Sequence, residues 1–376
     1  MYADSVRDPD LYFATGVSVV DPFIYVETDG KRVIVTSEIE ADAARRNSHA
    51  TDVLLDSKFG SRELIAGGMS WDDAQLEVLD RVVSELGLNE VVVPPSFPVI
   101  YADHLRGKGF TVTPDRKQFE LRRRSKDELA LTGIRTAQRA TEAAMARVVE
   151  VLGSSRPEGD GLAFEGEPLT AERVRAEVIE TLRAHGCEGE PPITSPGPQG
   201  AFVHELGSGP VRPGESLIVD IFPTHAASRF CADMTRTFCF GEAPERLRVM
   251  HATVLDALRR STEAITDGVA GTVPWEVACD AIEAGGFRTQ RGLAEGESLG
   301  EDFFHGLGHG VGIEVHEAPY MGLGCKEPLA SGDVVTVEPG VYRKDFGGVR
   351  LEDLVVVTGG EPDVLTRFDY ELEIRP

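Results

Sequence analysis

The chain has 376 residues, of which 41% are hydrophobic and 27% charged, a composition typical of a globular protein with one or two domains. Its net charge of −25 argues against nucleic acid as a partner, because phosphate binding requires a clustered positive surface. It contains no run of about 18 apolar residues, so we expect no membrane span.

The N-terminus and the cysteines indicate a location. The first ten residues, MYADSVRDPD, lack the basic start and apolar core of a signal peptide. The five cysteines are odd in number and have no CxxC spacing, which fits neither a disulfide framework nor a thiolate zinc site. We therefore expect a cytoplasmic protein.

The first 120 residues alternate strand and helix patterns. The runs FIYVET and RVIVTSE flank the turn residues Asp29 and Gly30, and they predict two strands. Ser70 and Asp73 resemble an N-terminal capping arrangement for a helix. NEVVVPP predicts a buried strand, and FTVTP predicts another. Residues 1–122 are therefore expected to form a small α/β domain.

The remainder of the chain has longer helical patterns. Ser125 and Glu128 form an S-x-x-E capping signal for a long amphipathic helix. Further helical patterns run from Thr170 to about His185 and through RLRVMHATVLDALRRSTEAI. Strand-like runs lie between and after them: SLIVDIF, DMTRTFCF, VVTVEP and VRLEDLVVV. Residues 123–376 are expected to form a domain in which helices cover an antiparallel sheet.

Four of these strand-like runs carry an acid: Asp220 in SLIVDIF, Asp233 in ADMTRTF, Glu338 in VVTVEPG and Glu352 in VRLEDL. Acids are poor strand residues and are rarely buried without a partner. A solvated acid on an edge strand explains any one of these positions. The same explanation would have to hold independently at all four. The set therefore indicates a functional cluster.

Strand alternation turns two of these acids toward a core. Asp220 shares a face with Ile218 and Phe222, and Glu352 shares a face with Leu354. Buried, unpaired carboxylates lose hydration and repel one another. Two divalent cations would balance four negative charges, so the pattern predicts a two-metal site.

Residues 305–317, HGLGHGVGIEVHE, contain three of the nine histidines. Gly308 and Gly310 would let the backbone approach closely enough to bring the His309 imidazole onto a metal. The alternative is a glycine-rich turn with surface histidines. Carboxylate-rich ligation with one imidazole favours Mn²⁺, Co²⁺, Fe²⁺ or Zn²⁺.

Two metals roughly 3.5–4 Å apart suit metal-assisted hydrolysis of an amide or ester. Such a reaction also needs groups that move protons and stabilise an oxyanion. The candidates are His204, His305 and His316. For each of them, a purely structural role is the alternative.

The ordered motifs of the second domain resemble the proline-specific metallopeptidases of the pita-bread fold. That group includes Xaa-Pro aminopeptidases, Xaa-Pro dipeptidases (prolidases) and the metal-free creatinases. The motifs are His204, VD at 219–220, DMTRTF at 233–238, HGLGHGVGIEVHE, VEPGVY at 337–342 and VRLED at 349–353. The resemblance implies an α/β creatinase-like N-terminal domain, as in PDLYFATGV, followed by an α+β pita-bread catalytic domain.

The resemblance also implies a role for each ligand. Asp220 would chelate one metal, and Asp233 and Glu352 would bridge both. His309 and Glu338 would complete the shell of the second metal. Glu338 would also accept a proton from the attacking water. Mn²⁺ is the expected metal, with Co²⁺, Zn²⁺ and Fe²⁺ as alternatives.

The same resemblance places four further residues at the substrate. His204, His305 and His316 would stabilise developing charge or move protons, and Arg350 would orient a metal carboxylate or lie near the substrate. The substrate would be a proline-containing peptide, cleaved at the bond preceding the proline. The resemblance also implies a homodimer.

One spacing departs from the family pattern. Asp220 and Asp233 are thirteen positions apart, two more than is usual in the family. We expect an extended hairpin with a longer tip and an intact site. His225 is expected at that exposed tip, with the site entrance as the alternative.

Several alternatives remain open. Dipeptidase and aminopeptidase activities are not separated, and we favour dipeptidase slightly because the chain is compact and has no extra domain. A metal-free creatinase-like amidinohydrolase and a non-catalytic scaffold are the other candidates. Both predict lost ligands, whereas all five ligand positions are filled here.

Overall fold

The structure, a computed structural model, describes residues 1–294 and 296–376. Its contacts divide the chain into two compact units, Met1–Arg123 and Arg124–Pro376. Within the described ranges, no helix combines the length and apolar character needed to cross a lipid bilayer.

The first unit alternates helices and strands. Its helices are α1 (Pro9–Thr15), α2 (Glu38–Asn47), α3 (Ser61–Ala66), α4 (Trp71–Glu85), α5 (Val99–Gly107) and α6 (Arg116–Arg124), which ends at the boundary; a 3₁₀ turn covers Asp56–Phe59. Its strands are β1 (Tyr2–Ala3), β2 (Phe23–Thr28), β3 (Lys31–Thr36), β4 (Asp52–Leu55), β5 (Glu90–Val93) and β6 (Thr111–Pro114).

The predicted hairpin and capped helix of this unit are both present. β2 and β3 pair antiparallel within the sheet β1-β2-β3-β4, and Asp29 and Gly30 turn the chain with φ angles of 32° and 80°. These positive angles suit glycine and, less well, aspartate. The Ser70 hydroxyl accepts a hydrogen bond from the Asp73 N–H and so caps α4.

The prediction of a buried strand in NEVVVPP was wrong. Within the described part of the chain, this run forms β5, which pairs with β6 in a two-stranded parallel sheet. Val93 is buried, whereas Val92 is 46% exposed within this chain. A continuous apolar run indicates a strand, but it does not show how many faces of that strand are covered.

The second unit has helices α7 (Glu128–Gly153), α8 (Ala171–Ala184), α9 (Glu245–Glu263) and α10 (Thr272–Ala284), with a 3₁₀ turn at Gly197–Ala201. Its first strands are β7 (Arg156–Glu158), β8 (Gly161–Phe164), β9 (Glu167–Pro168), β10 (Cys187–Glu188), β11 (Ile193–Pro196), β12 (Ser216–Ile221), β13 (Thr224–His225) and β14 (Met234–Phe240). The later strands are β15 (Gly308–Gly310), β16 (Glu317–Met321), β17 (Val334–Val337), β18 (Gly340–Arg343), β19 (Gly347–Arg350), β20 (Asp353–Val356), β21 (Asp363–Val364) and β22 (Glu373–Ile374).

Two helix starts differ from the prediction. α7 is capped by Asp127, whose carboxylate accepts from the Ala130 N–H, and not by Ser125. Asp127 directly precedes the first helical residue, which is where a capping side chain reaches the free N–H groups. Helix α10 was not among the predicted helices; it carries Pro274 in its first turn, where no N–H partner is lost.

This unit contains two main sheets where one antiparallel sheet was expected. The first has the order β11-β12-β14-β22, with β14 and β22 parallel; the second has the order β16-β15-β17-β20-β21. The first sheet and helices α7 and α8 share a core that includes Val148, Val178, Val219 and Phe238. The second sheet and helices α9 and α10 share another, with Val254, Ile282, Val335 and Val355.

Three of the four acids lie at strand ends and not within strands. Asp233 directly precedes β14, Glu338 directly follows β17, and Glu352 lies between β19 and β20. The predicted shared face of Glu352 and Leu354 was therefore wrong, because the chain passes from one sheet to another at Glu352. Only Asp220 lies inside a strand, β12.

The long connection between Asp220 and Asp233 contains the short strand β13. β13 pairs with β10, so that Cys187 lies opposite His225 and Glu188 opposite Thr224. His225 is half-buried and its Nδ1 contacts the Ser228 hydroxyl at 2.8 Å, so the expectation of an exposed tip was wrong for this residue. Ala226 and Ala227 are the exposed residues that follow it.

Candidate metal centre

The five predicted ligands line one cavity of about 510 Å³ in the second unit. One ligand atom each from Asp233, His309 and Glu352 lies within 4.8 Å of the others. The Nε2 atom of His309 lies 3.5 Å from a Glu338 carboxylate oxygen and 3.8 Å from Asp233. Asp220 and Glu338 also face the cavity, so the two sheets contribute ligands to the same space.

Backbone hydrogen bonds fix Glu352 between the sheets. Its N–H donates to the Thr235 carbonyl at 3.0 Å, and its own carbonyl accepts from Arg236 at 2.7 Å. The Thr235 hydroxyl donates to the Glu352 carboxylate at 2.8 Å. One carboxylate oxygen is thus held, and the side chain is directed into the cavity.

His309 lies on β15, where close backbone packing requires its glycine neighbours. A Cβ at Gly308 would collide with the Thr336 carbonyl, and one at Gly310 would collide with the Ala318 carbonyl. The His309 Nδ1 lies 3.1 Å from the Gly310 carbonyl, which can only accept, so Nδ1 carries the proton. This leaves Nε2 as the free nitrogen facing the acids, as a metal ligand would be.

The acids have the properties expected of a site for cations. One oxygen each of Asp220 and Asp233 is buried and has no hydrogen-bond partner among the described residues. Burial, together with repulsion from neighbouring acids, raises the pKa of Asp233 and Glu352 well above the ordinary range. Burial also raises the pKa of Glu338 to about 8, despite the opposing effect of Arg350. Two divalent cations would offset both the burial of these carboxylates and their mutual repulsion, so the residues fit a pair of such ions.

Arg350 connects a predicted ligand to a predicted substrate histidine. It donates to Asp220 at 2.6 Å and to the Tyr342 hydroxyl at 3.2 Å. Tyr342 contacts the His305 Nε2 at 3.0 Å, while the His305 Nδ1 contacts the Gly306 carbonyl at 2.7 Å. Burial lowers the pKa of His305 to about 4, so the ring is neutral and accepts the tyrosine proton at Nε2.

The other two predicted histidines also line the cavity. His204 is exposed on the segment after the 3₁₀ turn. His316 is exposed, and its ring lies edge-on to that of His309 with 4.2 Å between centroids. Partial desolvation of the ring lowers the pKa of His316, which favours its neutral form. Both side chains have room to meet a molecule in the cavity.

A second group of possible ligands lies in the first unit. Glu77, Asp80 and His104 also bring ligand atoms within 4.8 Å of one another, but all three are only partly buried. The Lys108 ammonium occupies this group, 3.1 Å from Glu77 and 3.4 Å from Asp80. A lysine already supplies the positive charge there, so this group is not a comparable metal site.

Three supporting residues were missed in the sequence analysis. Thr235 and Tyr342 bond to site residues as described above, and Arg236 is 1% exposed, with its guanidinium 2.9 Å from Asp353. Each lies within a quoted motif, DMTRTF or VEPGVY. Arg236 could have been found from the sequence, because an arginine within an otherwise apolar strand is expected to be buried and a buried charge requires a partner.

Several known proteins are similar to this chain in sequence. A family model described as metallopeptidase family M24 matches residues 132–359. The Xaa-Pro dipeptidase of Pyrococcus furiosus is 31% identical over 202 residues, which cover 53% of this chain and 54% of that protein. The probable dipeptidase PepE of Mycobacterium bovis is 30% identical over 253 residues, 67% of this chain and 60% of that protein. The chain thus spans less than two thirds of the length of these curated relatives.

A solved structure is similar over nearly the whole chain. The X-Pro aminopeptidase from Thermotoga maritima superposes with a TM-score of 0.77 at 24% identity, covering 98% of this chain and 94% of that one. At this identity the likeness shows the fold, and it confirms the expected N-terminal domain followed by a pita-bread domain. With the family model matched over most of the second unit, the chain belongs to metallopeptidase family M24.

Proposed function

We propose that the protein is a di-metal peptidase that cleaves the bond before proline, in Xaa-Pro dipeptides or at the N-terminus of Xaa-Pro peptides. The observation that carries this proposal is the buried convergence of Asp233, His309 and Glu352 in a cavity that Asp220 and Glu338 also line. The relatives named as dipeptidases support a slight preference for dipeptides.

The proposed ligands are Asp220, Asp233, His309, Glu338 and Glu352. Two divalent cations, when bound, supply the Lewis acidity that amide hydrolysis requires. Mn²⁺ is the proposed metal because four carboxylates and one imidazole form a mixed oxygen and nitrogen donor set. Co²⁺, Zn²⁺ and Fe²⁺ suit the same donors.

The protein groups around these ligands have distinct proposed tasks. Glu338 accepts a proton from the attacking water, since it reaches the cavity and its side chain is 20% exposed. Arg350 holds one oxygen of Asp220 and leaves the other available for ligation. His204 and His316 contact the substrate and stabilise charge that develops on the carbonyl oxygen.

His305 has a different proposed task from these two histidines. Both of its ring nitrogens are engaged, one by the Gly306 carbonyl and one by Tyr342. It therefore presents its ring edge to the substrate and holds Tyr342 beside Arg350. Its lowered pKa keeps it neutral during this work at physiological pH.

Two further properties belong to the proposal. A cytoplasmic location is supported by the five cysteines, all of which are free thiols in the structure. A homodimer is supported by the family resemblance alone.

Peptide hydrolysis with defined metal content tests the function. The purified protein is stripped with a chelator, reloaded with Mn²⁺ and assayed on Ala-Pro, Ala-Pro-Ala and Ala-Ala. We expect activity only after reloading and only on the proline peptides, with Ala-Pro cleaved faster than Ala-Pro-Ala. Two bound metals without turnover would favour a scaffold, and turnover by the stripped protein would favour a metal-free amidinohydrolase. Faster cleavage of Ala-Pro-Ala would reverse the dipeptidase preference.

A further inference from the structure

One carboxylate of the cavity wall lies outside the proposed metal cluster. Among the described residues, five acidic side chains line the cavity; four are proposed ligands, and the fifth is Glu190. Two divalent cations carry four positive charges, which balance the four ligand carboxylates. Arg350, the guanidinium of this wall, is already paired with Asp220 at 2.6 Å. Two cations and Arg350 together match the five carboxylates in number, but Glu190 is the acid of this wall with neither a proposed metal nor an ion-pair partner among the described residues.

The fold holds Glu190 between two strand pairings. Two residues before it, Glu188 of β10 lies opposite Thr224 of β13. Three residues after it, Ile193 of β11 lies opposite Asp220 of β12. β13 belongs to the connection that is longer than usual between Asp220 and Asp233. The extended connection thus anchors the segment that carries Glu190 against the cavity.

The surroundings of Glu190 strengthen its electrostatic effect. Pro191, Ile193 and Phe222 line the same cavity, and apolar walls reduce the screening of a nearby charge. Glu190 itself is exposed and has no hydrogen-bond or ion-pair partner among the described residues. Its carboxylate is free to pair with a molecule that enters the cavity.

We propose that Glu190 is a specificity-determining residue that makes the enzyme prefer peptides with a lysine or arginine directly before or directly after the proline. This inference rests on the proposed peptidase function. The methylene groups of the substrate's lysine or arginine would lie against the apolar wall, and the charged group at the end of that side chain would pair with Glu190. The residue acts on substrate choice, and it has no part in the metal chemistry.

The test compares substrates that differ only in charge. The Mn²⁺-loaded protein is assayed on Lys-Pro and norleucine-Pro, which share an unbranched four-carbon stem, and on Glu-Pro. A second arm uses Ala-Pro-Lys and Ala-Pro-norleucine, which moves the charge to the other side of the proline. We expect kcat/KM to favour lysine over norleucine by about two- to fivefold in one arm, as for an accessible ion pair. High ionic strength should reduce that preference.

Variants assign the preference to Glu190. Glu190→Gln should abolish it while leaving norleucine-Pro cleavage nearly unchanged, and Glu190→Lys should reverse it toward Glu-Pro. Glu188→Gln is the matched control, because it removes an exposed carboxylate from the same segment without altering the cavity wall. An unchanged lysine preference in Glu190→Gln, or its equal loss in Glu188→Gln, would overturn the inference. If the loaded wild type cleaves none of these peptides, the proposed function itself fails.

Discussion

The Lys126 ammonium lies 2.6 Å from the Glu317 carboxylate, and both side chains are 2% exposed. Glu317 directly follows His316, and its carboxylate occupies the space beside Gly312 that any side chain there would need. The ion pair therefore sets the path of the segment between His309 and His316, which are a proposed ligand and a proposed substrate contact.

Removal of one partner of this ion pair should lower the free energy of unfolding. Lys126→Met leaves the Glu317 carboxylate buried without its cation, for which we expect a loss of about 3–5 kcal/mol in the free energy of unfolding. Urea denaturation of the metal-free protein measures this loss. Lys344→Met, at an exposed position, is the control and should change stability by less than about 1 kcal/mol.

A double variant separates charge from packing. Lys126→Met with Glu317→Gln removes both charges and should recover part of the lost stability, since neither position of this pair then carries a buried charge. A double variant no more stable than Lys126→Met would show that packing, and not charge, is the main contribution of the pair.

Asp233→Asn should abolish metal binding and activity together. The substitution removes a negative charge from a side chain proposed to bridge both metals, while its volume is nearly unchanged. Metal content after dialysis and turnover of Ala-Pro are the two measurements. Asp160→Asn, at an exposed position, should leave both unchanged. Retention of two metals and full turnover by Asp233→Asn would refute the bridging assignment.

His316→Ala should separate metal binding from catalysis. Its ring packs against His309 but is not a proposed ligand, so we expect wild-type metal content with kcat on Ala-Pro lowered roughly 10²-fold. His185→Ala, which removes an exposed histidine on the α8 C-cap, is the control. Normal turnover by His316→Ala would reduce His316 to a structural role.

The raised pKa of Glu338 predicts how pH affects the metal-free protein. Burial raises this pKa from 4.5 to about 8, so between these values the folded state binds the proton that the unfolded state releases. Stability from this group is fully present below about pH 4.5 and is lost as pH rises through 8.

Glu338→Gln isolates this effect, because glutamine stays neutral at every pH. With a chelator present, the variant should match the wild type near pH 5 and exceed it at pH 8 by an amount on the order of a few kcal/mol. Melting temperatures of both proteins across this range provide the measurement. With Mn²⁺ the order should reverse, since the variant lacks a ligand; a wild type more stable without metal at pH 8 would contradict the argument.

The sequence allowed the fold class and the convergence of the acids to be predicted, but not the local geometry. Each acid lies in or beside an apolar strand, and burial of an acid demands compensation wherever it occurs. Alternation could not show that VRLEDL divides at Glu352, because β19 and β20 are only two residues apart in the chain and yet belong to different sheets. Likewise, the pairing of β13 with β10 joins residues far apart in the chain, and no local pattern reports it.

The position of Glu352 at the passage between two sheets has a further consequence. Its backbone is bonded to Thr235 and Arg236 of one sheet, and the chain enters the other sheet at the next residue. Local unfolding of either sheet would displace the Glu352 carboxylate and separate the five proposed ligands. In the metal-loaded protein, loss of the ions and melting of the second unit are therefore expected to coincide, whereas the stripped protein stays folded and melts at a lower temperature because nothing links the two sets of ligands.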